Sequence, residues 1–284
     1  MPSPPTSVAY IGAGNMGAPL ALAVARLGIK VRAFDKRPDR LAFLAERGVA
    51  SASSLDDLVG GADVVAIAVM ADVDVERLEQ EGLLDLIRPG SGLIIHSTVR
   101  PRTCQRIAEK CAARGIRVVD ATVSGTIDSA YAGKLSVMVS GDPDLTDQCR
   151  TLFDSMGSSV LYLGPKHGMA ALGKVINNGI GLCNMATLLE GVRIAVHQGM
   201  PAEDMVKVIV ASSGQSFWAT NWGGAEAFVH GHPLGADVIE AMLVKDLALA
   251  GELGTEVQVE GSMLRAARET LPSTLRSYLA AQTT

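Results

Sequence analysis

The chain has 284 residues, 48% of them hydrophobic and 19% charged, with a net charge of -5 and a pI near 5.6. Two domains of unequal size are expected at that length, each with enough apolar material for a core. The acidic balance gives no bulk attraction for nucleic acid or an anionic membrane, so neither is expected as a partner.

The N-terminus, MPSPPTS, is proline-rich and has neither the basic nor the apolar region of an export signal, so residues 1–6 read as a disordered tail. No later apolar run reaches membrane-spanning length without glycine or charge, and a soluble cytoplasmic protein is expected. Cys104, Cys111, Cys149 and Cys183 show no CxxC or metal-finger spacing. All four read as reduced packing residues, and no metal site is expected.

From Ser7 the sequence SVAYIGAGNMGAPLALAVARLG places a short β-branched run before Gly12, Gly14 and Gly17, then an Ala/Leu-rich helical stretch ending at Gly28. This is strand, tight turn, helix. In a dinucleotide-binding turn the first glycine permits the bend, the second lets a pyrophosphate approach the backbone, and the third lets helix and strand pack closely. Gly12, Ala13, Gly14, Asn15, Met16 and Gly17 are therefore candidate cofactor contacts, with the helix N-terminus aimed at phosphate. The next strand, KVRAF, ends at Asp35, close to the ~20-residue offset at which a carboxylate reaches the adenosine ribose. Asp35 favours NAD, while Arg37 stands where it can face a 2′-phosphate and keeps NADP open.

Further apolar runs follow at 62–70, 92–98, 116–125, 135–141 and 159–164, most of them separated by helical stretches such as 101–115, which opens on Pro101 and closes on Gly115. Continuous apolar strands alternating with helices predict an α/β fold, a doubly wound and mostly parallel sheet over residues 7–164. Ligands of such sheets sit beyond the carboxyl ends of strands, where Val69-Met70, His96-Ser97-Thr98 and the segment Asp120 to Thr126 are placed.

Beyond Gly164-Pro165 the pattern becomes helical. Residues 166–197 form one run of roughly 45 Å at 1.5 Å per residue, stopped by Gly199, with Pro201 opening the next helix. It reads as an interdomain helix leading into an all-helical domain over 165–284, continued by helices at 201–212 and 237–254. Lys174 lies among Met169, Leu172, Val175, Ile176 and Ile180, which predicts a largely buried helix and an ammonium that is paired or used. Asn178, four residues on, shares its face, with Asn177 beside them. The plain reading is a snorkelling lysine. The alternative is a lysine in a water-poor site, its pKa lowered by desolvation, exchanging a proton with a substrate hydroxyl.

Five stretches in this order, VAYIGAGNMGAPLA, HSTVRP, DATVSG, GKVINN and KDLALA, carry a resemblance. Over about residues 7 to 270 the chain resembles the β-hydroxyacid dehydrogenase family, which includes 3-hydroxyisobutyrate and tartronate semialdehyde enzymes and, more distantly, 6-phosphogluconate dehydrogenase. The resemblance implies hydride exchange between a small hydroxyacid and a nicotinamide cofactor. It implies Lys174 as general acid/base and Asn178 as the residue that orients substrate. It also implies Ser124, Gly125 and Thr126 as the loop holding the substrate carboxylate. Thr98 matches a position near nicotinamide and substrate, and Lys245 matches a lysine of the helical domain that helps close the site, a candidate contact for both substrate and cofactor.

The chain departs from the family at Thr126 and Ser129, where the family commonly has glycines, and the bulk reshapes the carboxylate pocket. In FWATNW, Trp218 and Trp222 read first as core or subunit packing and alternatively as an aromatic lining for a larger or sulfonate substrate. Tyr162 and Lys166 have the spacing of short-chain dehydrogenases, but Gly164-Pro165 between them prevents a shared helix. His230 and His232 read as loop histidines. Two other classes compete, a non-catalytic NAD-binding module and an imine reductase. The long helix and apolar second domain predict a homodimer or homotetramer.

Overall fold

A computed structural model describes residues 3–224 and 236–282. The histidines 230 and 232 lie outside them. The chain divides into two compact units, Met1–Lys174 and Val175–Thr284.

The first unit is built on one eight-stranded sheet: β1 (Ser7–Ile11), β2 (Lys30–Phe34), β3 (Ala50–Ser51), β4 (Val64–Ile67), β5 (Gly92–Ile95), β6 (Arg117–Ser124), β7 (Leu135–Gly141) and β8 (Gly157–Tyr162). Their spatial order is β3-β2-β1-β4-β5-β6-β7-β8. The first six strands are parallel and show the doubly wound order whose direction reverses between β1 and β4. β7 runs antiparallel to β6, and β8 is parallel to β7.

Between the strands run α1 (Gly17–Ala25), α2 (Pro38–Ala45), α3 (Leu55–Val59), α4 (Asp72–Gln80), α5 (Leu83–Leu86), α6 (Pro101–Ala112), α7 (Ile127–Tyr131), α8 (Pro143–Gln148) and α9 (Arg150–Met156). Val8 and Tyr10 face a core shared with α1 and α9, while Ala9 and Ile11 face a second core on the opposite side. A strand buried on both faces has no room for a polar face, which is why these segments read as unbroken apolar runs. Thr6, in the expected tail, is held by Asp63, whose Oδ2 accepts from its N–H at 2.9 Å and its hydroxyl at 2.7 Å.

The long helix α10 (Met169–His197) is continuous, and the division between the units falls inside it. The second unit continues with α11 (Ala202–Val210), α12 (Phe217–Thr220), α13 (Ala236–Glu256) and α14 (Ser262–Gln282). Its core gathers Leu182, Met185 and Leu189 with Ile239, Leu243, Leu247, Leu271 and Leu275. Trp218 and Trp222 pack against this core, Trp222 meeting Tyr278 edge-on at 5.5 Å.

One expectation is corrected: α10 is not largely buried. By length and composition it is apolar enough to cross a membrane, and Ile176, Ile180 and Ile194 stand 39%, 56% and 66% exposed. Apolar residues all round a helix outnumber those its own unit can cover. In the second unit, Leu271 is fully buried. Leu271→Ala is expected to lower the unfolding free energy by about 2–5 kcal/mol, read by urea denaturation; a change within ~0.5 kcal/mol would show that this core does not carry the unit's stability.

Candidate active site

At the end of β1 the three glycines have different neighbours. Gly12 has φ +97°, and a Cβ there would lie 2.4 Å from the carbonyl oxygen of Ala68, at the end of β4. A Cβ on Gly17 would lie 2.0 Å from the carbonyl oxygen of Gly12. Protein packing therefore demands both. At Gly14 an added Cβ meets no protein atom within 4 Å, so the fold itself makes no demand there. The helix that follows has no side-chain cap at Met16 and no acid in its first turn, which suits an anion beside its N–H groups.

Asp35, just past β2, closes over this turn: its Oδ2 accepts from the Ala13 N–H at 2.7 Å and its Oδ1 from the Arg37 N–H at 2.9 Å. A carboxylate has about four acceptor sites, so capacity remains for ribose hydroxyls. The Arg37 guanidinium is directed onto Asp39, with Nη2 2.7 Å from its Oδ2. The residues fit a dinucleotide: Gly14 and the α1 N-terminus for the pyrophosphate, Asp35 for the ribose.

At the ends of β4 and β5, the Val69 N–H donates to Ser97 Oγ at 2.9 Å, tying together two of the predicted cofactor segments. Met70 is exposed and Thr98 half-buried. His96 is buried, stacked on Tyr10 at 6.1 Å, with Nδ1 2.6 Å from the carbonyl oxygen of Ala121. A carbonyl only accepts, so Nδ1 carries a proton. Burial lowers its pKa from 6.5 to about 4, against the raising effect of that hydrogen bond.

Strand β6 ends at the candidate substrate loop. Lys174, half-buried on α10, donates from Nζ to Ser124 Oγ at 3.3 Å, so two residues fifty positions apart meet as the motif pattern implies. Gly125 takes φ +148°. Thr126 caps α7, its Oγ1 accepting from the Ser129 N–H at 3.1 Å and lying 3.0 Å from the Ser129 hydroxyl. The two departures from the family pattern thus bond to each other.

In the second unit, Asn178 donates from Nδ2 to Asp246 Oδ2 at 2.8 Å, and Lys245 Nζ lies 3.1 Å from Asp246 Oδ1. Asp246 was not among the residues picked out from the sequence. Its position beside Lys245 in KDLALA was the available signal. Asp120 on β6 and Ser140 on β7, which bond the first turn of the Lys174 helix, were also missed as site residues. Asp120, Thr122 and Ser124 alternate as polar residues in an otherwise apolar strand, a pattern that marks one face of β6 as polar.

Turn, helix terminus, ribose carboxylate and strand order together define a Rossmann-type NAD(P)-binding oxidoreductase. Residues 7–164 match the family described as the NAD binding domain of 6-phosphogluconate dehydrogenase, and residues 168–284 match the NAD-binding family of NADP-dependent 3-hydroxyisobutyrate dehydrogenase. The chain belongs to the β-hydroxyacid dehydrogenase family. It is 33% identical to an NAD-dependent L-serine dehydrogenase of Pseudomonas aeruginosa, over 86% of this chain and 84% of that one. A 3-hydroxyisobutyrate dehydrogenase of the same organism is 34% identical over 76% of this chain and 72% of its own. Among solved structures, a Mycobacterium tuberculosis 3-hydroxyisobutyrate dehydrogenase with L-serine superposes with a TM-score of 0.80 at 26% identity, covering 93% of this chain and 91% of that one.

Two outcomes follow from this geometry. Gly14→Val is expected to leave the melting temperature nearly unchanged while weakening NAD binding about tenfold or more, measured by fluorescence titration; unchanged affinity would remove Gly14 from the cofactor site. His96 stays neutral in the fold but takes a proton when unfolded below pH 6.5, so its contribution is present above that pH and lost as the pH falls toward 4. The loss is on the order of 3 kcal/mol. Urea unfolding of wild type and His96→Asn at pH 7 and pH 4.5 reads it, and parallel curves for the two proteins would contradict it.

Proposed function

We propose that this chain oxidises the primary alcohol of a short 3-hydroxyacid, of the 3-hydroxyisobutyrate or L-serine kind, to the semialdehyde, or runs the reverse reduction. The observation that carries this reading is the pairing of Lys174 Nζ with Ser124 Oγ at 3.3 Å. Proton acceptor and anion-binding hydroxyl lie within the span of a three-carbon hydroxyacid. Ser124 and the Gly125 backbone hold the substrate carboxylate, with donors of the kind that suit an anion. Lys174 takes the hydroxyl proton in oxidation and returns it to the carbonyl oxygen in reduction. Asn178, one turn further along the same helix, orients the substrate. When bound, the nicotinamide accepts or returns the hydride.

NAD is the proposed cofactor. A 2′-phosphate placed at the end of β2 would face the Asp35 carboxylate. Arg37, the cation that would attract it, is already paired with Asp39, though solvent screens an exposed pair of this kind and holds it only weakly. The larger aromatic substrate is not favoured, because Trp218 and Trp222 pack on the second unit's core. We further propose a homodimer or homotetramer, on the support of the exposed isoleucines of α10.

The test is the absorbance of reduced nicotinamide with L-serine, 3-hydroxyisobutyrate and related short 3-hydroxyacids. Lys174→Ala is expected to lower kcat about 100- to 10,000-fold while the protein stays folded, and wild-type turnover in that variant would remove Lys174 from proton transfer. A preference for NADP over NAD of about tenfold, some 1.4 kcal/mol, would overturn the role given to Asp35. Sedimentation showing only monomer at micromolar concentration would defeat the oligomer.

A further inference from the structure

We infer that Asp120 and Ser140 are positioning residues of the reaction: they lock the first turn of α10 onto β6, so that Lys174 is delivered to Ser124. This rests on the proton-transfer reading of Lys174.

The geometry begins with the first turn of a helix, whose N–H groups have no partner within the helix. In α10 they are answered from the sheet. The Gly168 N–H donates to Asp120 Oδ1 at 2.8 Å, and the Ala171 N–H donates to Asp120 Oδ2 at 3.1 Å. The Ala170 N–H donates to Ser140 Oγ at 2.8 Å, and that hydroxyl in turn donates to Asp120 Oδ2 at 2.7 Å. Thr122 Oγ1 donates to the Ala170 carbonyl oxygen at 2.9 Å. Asp120, Thr122 and Ser140 are all fully buried.

These contacts form a ruler. Asp120, Thr122 and Ser124 lie two residues apart on one strand and therefore on one face. In that order they bond Gly168 with Ala171, then Ala170, then Lys174. Ser140 joins because β6 and β7 pair antiparallel with Asp120 opposite Ser140. A helix bonded at its N–H groups of 168, 170 and 171 cannot turn or slide without exposing a buried carboxylate to unpaired burial. The Lys174 ammonium, three residues beyond, inherits that placement. Gly168 fits the same constraint, since at φ +87° a Cβ would lie 2.6 Å from the Pro101 carbonyl oxygen.

A merely structural role would show as lost stability alone. A positioning role shows as lost kcat, since a ~1 Å displacement of a reacting group costs on the order of 100-fold. The experiment compares wild type, Ser140→Ala, Asp120→Asn, Lys174→Ala and the double variant Asp120→Asn with Lys174→Ala. Kinetics use NAD with L-serine and 3-hydroxyisobutyrate, at a temperature where every protein is folded. In parallel, amine labelling of Lys174, read by peptide mass across a pH series, reports its surroundings without any substrate.

Both single variants are expected to lower kcat about 10- to 100-fold, with the KM for NAD within about threefold of wild type. Both are expected to shift the pH profile of Lys174 labelling. On the Lys174→Ala background, Asp120→Asn is expected to cost nothing further, because the two act through one amine. Wild-type kcat and labelling with only a lower melting temperature would overturn the inference. So would a full Asp120→Asn loss that persists without Lys174. Should Asp120→Asn fail to fold, Ser140→Ala decides by the same two readouts. Should Lys174→Ala keep its turnover, the proton-transfer reading falls, and the labelling profiles alone decide whether Asp120 and Ser140 place Lys174.

Discussion

A carboxylate with no exposed surface, Asp120 in the middle of β6, is the constraint on which the candidate site depends. Leaving such a group unpaired in the interior costs several kcal/mol, far more than a single hydrogen bond returns. It is satisfied by two backbone N–H groups at the start of α10 and one hydroxyl from β7. Each donor lies at a fixed place along its own element, so satisfying the charge also sets where the helix begins and which way it is turned. A slip of one residue along a helix rotates it by about 100°, which would carry Lys174 away from Ser124. Electrostatic necessity in the middle of the strand thereby sets the Lys174–Ser124 contact at its end.

The glycine turn shows the same economy in steric form. Gly12 and Gly17 are required by the protein's own atoms, because a Cβ on either would collide with a carbonyl oxygen. Gly14 has no such neighbour, so the protein's own atoms make no demand for glycine there. Asp35 then does two jobs, bracing the turn through Ala13 while retaining acceptor capacity at the ribose position. One motif therefore contains two glycines the fold itself requires and one it does not.

What was legible in the sequence was local. The turn, the Asp35 offset, the alternation of strands and helices and the Lys174-Asn178 spacing all lie within short stretches, and the structure places each of these elements. Less legible were features set by partners far along the chain. Helix α10 begins at Met169 rather than at residue 166 because its cap comes from Asp120, 48 positions from Gly168. The reversed direction of β7 has no signature in an apolar strand, whose two directions bury the same side chains. The exposure of Ile176 and Ile180 contradicts what their hydrophobicity implies, since composition states what a residue prefers and not whether its unit has surface to cover it. The motifs singled out Ser124 and Lys174 separately, and they meet at 3.3 Å; the bonding roles of Asp120 and Thr122 in the same DATVSG stretch, and of Ser140 on β7, depend on partners far along the chain.

Asp246 extends the argument to the second unit. It is 8% exposed, with Asn178 Nδ2 at 2.8 Å and Lys245 Nζ at 3.1 Å. A carboxylate only accepts, so it must face the amide nitrogen of Asn178, and the side-chain carbonyl is thereby turned the other way. The orientation of an asparagine amide is ordinarily ambiguous, because its two ends have nearly the same shape. Here a buried acid removes the ambiguity. The ammonium of Lys245 beside the same acid makes its burial affordable, since paired charges cost much less to bury than single ones. Lys174 and Asn178, four residues apart on one helix, are thus each placed by a buried acid: Asp120 fixes the helix that carries the lysine, and Asp246 fixes the face the asparagine presents.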